Sequence, residues 1–557
     1  MEFCGKFKSI VGSMLLLVMV TSAWSGVSDY SFRIKGLGAS ALDFTNDAYS
    51  DVFYNPAYID KIDGIQIYTN LSNLGGISPV SMLSSEVSMI QNAVYPTNLI
   101  GFLGRWKFLS GGAFYSTEGY DVNFEGSTSN NELDQYTDGF LTDTWTRTSD
   151  YSSTDHFSLG GRQLIAVGSI NLFGLRLGLM GKYRNFSASL EHSSDEKVIT
   201  NDNGLIQSET SNHKSDLGIN SQFLGLTFGT LIGGDETELS VSAGIEPGGA
   251  SFQNSFFYDW IIEPYYQSDG GVNYANSGNV SSERDDQMNE ISVLGTELFA
   301  KGRLTATLGG NTRTSLYGKL SETYYPISLT DESEYEDIRE KPNYTYEGSS
   351  DQYYGFQNLL RRSSIQNGEG ALNILMLETG FGFEHSFDNG SLLILGIKGK
   401  YARISGDLDI EPRVRTEIYQ ELRNDPEMED YGYERTIYYN NSTKMEGSGN
   451  ILFLELPSAI EFGFLEAWKF RVGSDQMIPI WGKGDYKVDQ SDESNRVVTK
   501  YTHGPNAGIT EESDNSYTNE SNRVSELQIS TTNLNMSSYH TGLGYEVNEN
   551  ITMDILH

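Results

Sequence analysis

Residues 175–184 read LRLGLMGKYR. Leu175, Leu177, Leu179 and Tyr183 fall on alternate positions, and Arg176, Lys182 and Arg184 fall between them. A period of two is that of a β-strand with one apolar and one polar face. The pattern returns at 392–401, where Leu393, Leu395, Ile397 and Tyr401 oppose Lys398 and Lys400. It returns again at 468–472, where Trp468, Phe470 and Val472 oppose Lys469 and Arg471.

Outward from these stretches, apolar bursts occur in pairs: 98–104 with 107–116, 161–171 with 174–190, 222–232 with 237–246, 291–300 with 303–318, 371–387 with 390–407 and 450–465 with 468–477. Short connections with turn chemistry, such as GGDE at 233–236 and DNG at 388–390, join each pair into a hairpin. A first strand at 64–72 precedes them, with a moderate loop at 73–97. Long polar segments at 117–160, 191–221, 247–290, 319–370, 408–449 and 478–537 separate the pairs, always on the same side. Loops of that length are rare in compact soluble domains, whereas short turns on one rim and long loops on the other are usual in outer-membrane barrels. A soluble β-sandwich would alternate too, but it would not need six long loops on one edge.

The chain is therefore expected to be all-β, a transmembrane antiparallel β-barrel over 64–557 of about 14 strands with long extracellular loops. Trp106, Phe108, Phe173, Phe299, Trp468 and Phe470, near the short turns, are expected in the lower interfacial girdle. After a strand at 538–547, NEN at 548–550 reads as a turn and ITMDILH at 551–557 as the start of a further strand. Because single-chain barrels favour even numbers, either one early strand is wrongly counted or, the preferred reading, the chain is truncated at the C-terminus and a complete one could have 16 strands.

The N-terminus reads as an export signal over 1–25: Lys6 and Lys8, the apolar run IVGSMLLLVMV at 10–20, and small residues at AWS, 23–25. No later run reaches the roughly 18 apolar residues of a membrane helix. The only cysteine, Cys4, lies inside the signal, so the mature chain has no disulfide, thiol nucleophile or thiolate metal site. A net charge of −37, from 75 acids and 38 bases, argues against nucleic-acid partners.

Residues 26–63 form a separate segment. GLGAS at 36–40 suggests a tight turn at Gly36 and Gly38. In DAYSDVFYNPAYID, 47–60, Asn55 suits a helix N-cap and Pro56 the first helical turn, giving one helical turn that ends at Gly64. These residues resemble the N-terminal segment of the FadL/TodX-like fatty-acid transporter superfamily of outer-membrane proteins. They are equally similar to PorV-like proteins of type IX secretion, which carry an aromatic before Asn-Pro-Ala, as Tyr54 does here. The match runs from Gly36 to about Ile62. The resemblance implies a plug or hatch inside the barrel containing Gly36, Gly38, Asn55, Pro56 and Ala57.

Three further constellations stand out. Arg176, Lys182, Arg184, Lys398, Lys400, Lys469 and Arg471, with Arg105, Lys107, Arg303 and Arg313, should face the interior. There they would hold an anionic head group, or pair with Glu378, Glu384 and Glu461. Phe256, Phe257, Trp260, Ile261, Ile262, Tyr265 and Tyr266 form an apolar patch within 252–267, read as a loop that captures ligand, docks protein or packs on neighbouring loops. TDESEYEDIRE at 330–340 and SDESN at 491–495 read as solvated acidic loops. Their carboxylates could also take a hard cation such as calcium, but TNDNG at 200–204 lacks EF-hand spacing, and no metal site is assigned. The histidines are scattered, and no hydrolase, metalloprotease or P-loop motif appears; neither catalysis nor a cofactor is expected. Together these readings lead to an outer-membrane barrel passing small hydrophobic or amphipathic compounds, with membrane lipid and a small ligand as partners. The alternative is a non-transporting PorV-like anchor or shuttle that docks secreted or surface proteins.

Overall fold

The computed structural model describes residues 32–62, 64–70, 97–138, 141–202, 205–234, 236–267, 280–341, 344–345, 352–353, 356–423, 429–465, 467–529, 536–548 and 551–556. The expected export signal and most of the loop at 73–97 lie outside them.

The chain opens with two short helices, α1 (Phe32–Leu37) and α2 (Ala48–Tyr54), and two 3-10 turns, Ala39–Asp43 and Pro56–Lys61. Gly36 lies within α1; the tight turn falls at Gly38, whose φ of 94° suits a residue without Cβ. Almost everything else is strand: β1 (Ile65–Asn70), β2 (Thr97–Trp106), β3 (Leu109–Asp138), β4 (Leu141–Leu172), β5 (Leu175–Asp202), β6 (Leu205–Gly233), β7 (Thr237–Gln267), β8 (Val280–Thr307), β9 (Thr312–Lys341), β10 (Tyr344–Thr345), β11 (Gln352–Tyr353), β12 (Phe356–Ser386), β13 (Leu392–Ile410), β14 (Val414–Arg423), β15 (Tyr431–Leu465), β16 (Trp468–His503), β17 (Thr510–Ile529), β18 (Met536–Asn548) and β19 (Ile551–Leu556).

Every pairing is antiparallel. They step along the chain from β1 to β9, then through β12, β13, β15, β16 and β18 to β19. β14 continues the line of β13 between β12 and β15. The break at 411–413 contains Pro412, which has no N–H for the ladder. The bottom turns are tight: at Phe173–Gly174 both residues have positive φ (54° and 92°), the backbone of a two-residue hairpin.

The long polar segments, where described, are mostly strand rather than the expected loops. Residues 117–160 extend β3 and β4, which stay in register from Leu109↔Ile170 to Asp138↔Leu141. The described parts of segments 191–221 and 247–290 likewise extend β5 to β8, those of 319–370 extend mainly β9 and β12, those of 408–449 mostly belong to β13 to β15, and those of 478–537 belong mostly to β16 and β17. Pairing satisfies the backbone along strands of about thirty residues, so each hairpin reaches far beyond its apolar stretch. The acidic runs 330–340 and 491–495 are likewise strand, on β9 and β16. Residues 200–202 end β5, and 203–204 lie outside the described residues.

The two faces differ. Residues 32–62 pack against one, here called the inner face. The other carries the exposed apolar residues, among them Leu164, Leu179, Tyr183, Leu224, Phe228, Leu298, Leu320, Phe381 and Leu395. Trp106, Phe108 and Phe173 are exposed at the turns, whereas Phe299, on alternate parity to Leu298, lies on the inner face beneath Gly244. The main core is the N-terminal segment against the wall: Ile34, Leu37, Phe44, Val52, Ala57 and Ile59 are almost fully buried with Leu103, Ile165 and Ile394 from the strands.

Candidate functional site

The Asn55-Pro56-Ala57 turn is anchored at both ends of one side chain. Asn55 Oδ1 accepts from Ala57 N at 2.9 Å, which caps the 3-10 turn, with Pro56 at its first position. Asn55 Nδ2 donates to Thr230 O (2.9 Å) on β6 and to Ser240 Oγ (2.8 Å) and Val241 O (3.1 Å) on β7. Glycines on the wall make room. A Cβ on Gly178 would stand 2.3 Å from Ala57 N, and one on Gly229 would stand 1.9 Å from Asn55 Oδ1. Phe44 seats its ring between Gly382 and Gly396 in the same way.

Charge completes the fit. Arg303 on β8 is fully buried. It donates to Leu42 O (2.8 Å), Thr45 O (2.9 Å), Asp51 Oδ1 (2.9 Å) and Tyr58 OH (2.8 Å), so one guanidinium gathers four points of the segment. Lys398 pairs with Asp43 (2.6 Å) and with Glu455 (3.4 Å), to which Lys400 also binds at 2.7 Å. Asp60 meets Arg176 at 3.1 Å, Arg105 at 3.7 Å and Asn171 Nδ2 at 2.8 Å. Glu461 bridges Arg471 (2.6 Å) and Arg33 (3.1 Å). Buried charges persist only when paired and hydrogen-bonded in this way.

Of the basic residues singled out by alternation, Arg176, Lys398, Lys400 and Arg471 meet acidic partners around the segment, and Arg184 meets Glu246 at 3.4 Å. Lys182 and Lys469 share their face. Lys107 does not: it sits in the β2–β3 turn with φ 57°, over the Trp106 ring. Sequence reasoning missed Asp43, Asp51 and Asp60 as partners. The available signal was four aspartates, Asp43, Asp47, Asp51 and Asp60, spaced through the segment and set opposite a basic wall.

Further along the inner face, two cross-strand rows are apolar. One runs Phe252, Ile291, Leu329, Gly368, Ile410 across β7, β8, β9, β12 and β13. Its neighbour runs Ala250, Val293, Ile327, Gly370, Leu408, Met445 and ends on β15. Ile291, Ile327, Leu329, Leu408 and Ile410 form a second apolar cluster, with Phe252, Val293 and Met445 packed against it, separate from the segment's core.

The aromatic stretch 252–267 is strand, not loop, and pleating divides it. Phe256, Trp260 and Ile262 share the inner face with Phe252, while Phe257 and Ile261 point the other way. Phe256 meets the His213 ring edge-on at 4.8 Å, Trp260 Nε1 donates to Glu209 at 2.6 Å, and Arg284 lies over Phe257 at 5.1 Å. The backbones of Tyr265 and Tyr266 continue β7; their side chains lie outside the described set. Among the described residues no three His, Cys, Asp or Glu side chains converge as metal ligands.

No family model matches the chain, and no curated protein matches it in sequence. Among solved structures it is similar, weakly, to outer-membrane barrels. The toluene transporter TodX of P. putida is 10% identical, with 71% of this chain and 90% of that one covered, at a TM-score of 0.18. The outer-membrane protease OmpT of Escherichia coli is 11% identical over 60% and 96%, at 0.13, and the copper transporter OprC 10% over 78% of each, at 0.15. Likenesses at these scores carry no argument about what the chain does; its own geometry must.

Proposed function

We propose that the sheet closes into a barrel spanning the bacterial outer membrane, plugged by residues 32–62, and that it passes small hydrophobic or amphipathic compounds. The outward apolar run supports the membrane placement. On β4, β5 and β6 it gives way in one in-register row, where Leu164, Tyr183 and Leu224 are succeeded by Arg162, Asn185 and Gln222. A run such as 175–183, at about 3.3 Å per residue and tilted as barrel strands are, reaches roughly 20–25 Å, close to the height of a barrel's lipid-facing band.

The observation that carries the hydrophobic cargo is the pair of apolar rows beyond the plug, because a porin lined for water would be polar there. Their aliphatic side chains are almost fully buried against one another, so compounds would have to part them on the way through, and movement of the segment would open the lower half. The test is uptake of a hydrophobic fluorescent probe into liposomes holding the folded protein. Ile410→Asp combined with Leu329→Asp should cut the uptake several-fold while leaving heat-modifiable gel mobility unchanged. Unaltered uptake in that variant would sink the reading.

One observation favours the second reading, a docking subunit that does not transport: the plug is held by buried ion pairs from wall strands on many sides. That reading gains if the wild-type protein supports no probe uptake yet retains secreted proteins through its long hairpins.

A further inference from the structure

The extended hairpins carry a second charge cluster, remote from the plug. Glu417 on β14 is buried, and three guanidiniums converge on it. Arg362 Nε on β12 lies 3.0 Å from Oε2, Arg415 Nη2 lies 3.2 Å from the same oxygen, and Arg435 Nη1 on β15 lies 3.6 Å from Oε1. Tyr433 OH completes the shell, donating to Oε1 at 2.8 Å. The arrangement follows from register: Arg362 pairs with Glu417 across β12–β14, and Glu417 with Arg435 across β14–β15.

Three positive groups surround one negative group, leaving two charges in excess within a chain of net charge −37. Of the neighbouring carboxylates, Asp337 is paired with Arg339, Asp331 with Arg413 and Glu421 with Arg423, while Glu283 is hydrogen-bonded by neutral Tyr335, which does not offset its charge. By hydrogen bond, among the described residues, Arg362 spends its Nε on Glu417, Arg415 one Nη on Glu417, and Arg435 reaches Thr499 Oγ1 at 3.5 Å; the Arg435 guanidinium also lies over the Tyr433 ring at 4.6 Å and that of Arg362 over the Tyr335 ring at 5.8 Å. Guanidinium N–H groups thus remain to donate, and the three side chains keep partial exposure to solvent. An excess of two positive charges on planar, fork-shaped donors complements a tetrahedral dianion.

The geometry points to an oxyanion-binding site at Arg362, Arg415 and Arg435, taking a phosphate group either free in solution or carried on a lipid. Glu417 holds the three arginines together and competes with the incoming anion. The site does not depend on transport, since it lies beyond both the plug and the apolar rows.

The test uses the full chain folded in detergent at low ionic strength, titrated calorimetrically with inorganic phosphate and, separately, with micelles containing phosphatidic acid. Saturable binding in either arm is expected, and the arm that binds identifies the source of the phosphate. The triple variant Arg362→Gln, Arg415→Gln, Arg435→Gln should lose at least tenfold in affinity. Glu417→Gln, which keeps an acceptor for Tyr433 but removes the competing charge, should bind several-fold more tightly. Absence of binding in both arms, equal binding by the triple variant, or loss of binding in Glu417→Gln would overturn the assignment and leave the cluster a tie between strands.

Discussion

Arg303 Nη2 sits 2.9 Å from Asp51 Oδ1, joining a strand to a helix 252 positions earlier in the chain, and neither charge has access to water. The same guanidinium holds two carbonyls of the segment, so its loss strips four partners at once. Arg303→Met should cost about 3–5 kcal/mol, the usual penalty for leaving one member of a buried pair alone. The cost should fall on the segment rather than the sheet. Limited proteolysis should cut within 32–62 far faster while strand content by circular dichroism is unchanged. Adding Asp51→Asn should recover part of the loss, since it removes the orphaned charge.

Gly229 and Asn55 make a second, purely steric relationship. A methyl on Gly229 would need to stand 1.9 Å from Asn55 Oδ1, which is impossible without moving the turn. Gly229→Ala should therefore displace the Asn-Pro-Ala turn and break the bonds to Thr230, Ser240 and Val241. If the segment gates passage, probe uptake into liposomes should rise in this variant. Gly181→Ala, on the opposite face of β5 with open space around it, serves as the control and should leave uptake unchanged.

How much of the structure was legible beforehand depended on solvent. Where strands have one apolar face, as at Leu175 to Tyr183, alternation marks both the strand and its inner side, and Arg176 and Arg184 could be placed inward from spacing alone. In the hairpin extensions both faces are polar. Ser153, Thr154, Asp155 and His156 carry no hydropathic period, so the sequence looked like loop although its backbone is fully paired. The cap at Asn55 was readable because N-capping is local chemistry. Arg303 as the hub was not, because its partners lie more than 240 residues away and alternation specifies a face without specifying a contact.

Acid should loosen the extension at β12, β14 and β15. Burial alone would raise the Glu417 carboxyl, but hydrogen bonds from Tyr433 and Arg362 and the charges of Arg362 and Arg415 outweigh it, holding the group below the ordinary carboxylate range. Burial and the bond to Glu417 push Tyr433 up to about 12, so its hydroxyl remains a donor throughout. A depressed carboxyl contributes stability that is present above its unfolded value and fades as pH falls through its folded one. Protection of the β14 amides, measured against their intrinsic exchange rates, should therefore fall as the pH drops below about 4, the ordinary carboxylate range. Glu417→Gln should remove that acid-dependent step. An identical pH profile in both proteins would show that Glu417 does not carry it.

The outward band makes the sharpest demand, because it ties a single residue to the environment of the whole molecule. Leu179 sits midway along the run 175–183 and is exposed over about half its surface, which in water would be an unremarkable apolar residue. In lipid its position is near the midplane, where arginine costs about 2–4 kcal/mol in a barrel. Ser187 occupies the same face of β5, four pleats further and beyond the row where Asn185 ends the apolar run. Leu179→Arg and Ser187→Arg add the same side chain to the same strand and face, so propensity and solubility effects are matched. Unfolding by denaturant from lipid vesicles should show Leu179→Arg destabilised by that amount and Ser187→Arg within about 0.5 kcal/mol of the parent, the ordinary range for a surface change. Equal effects at the two positions would mean that the apolar band faces something other than the hydrocarbon of a membrane.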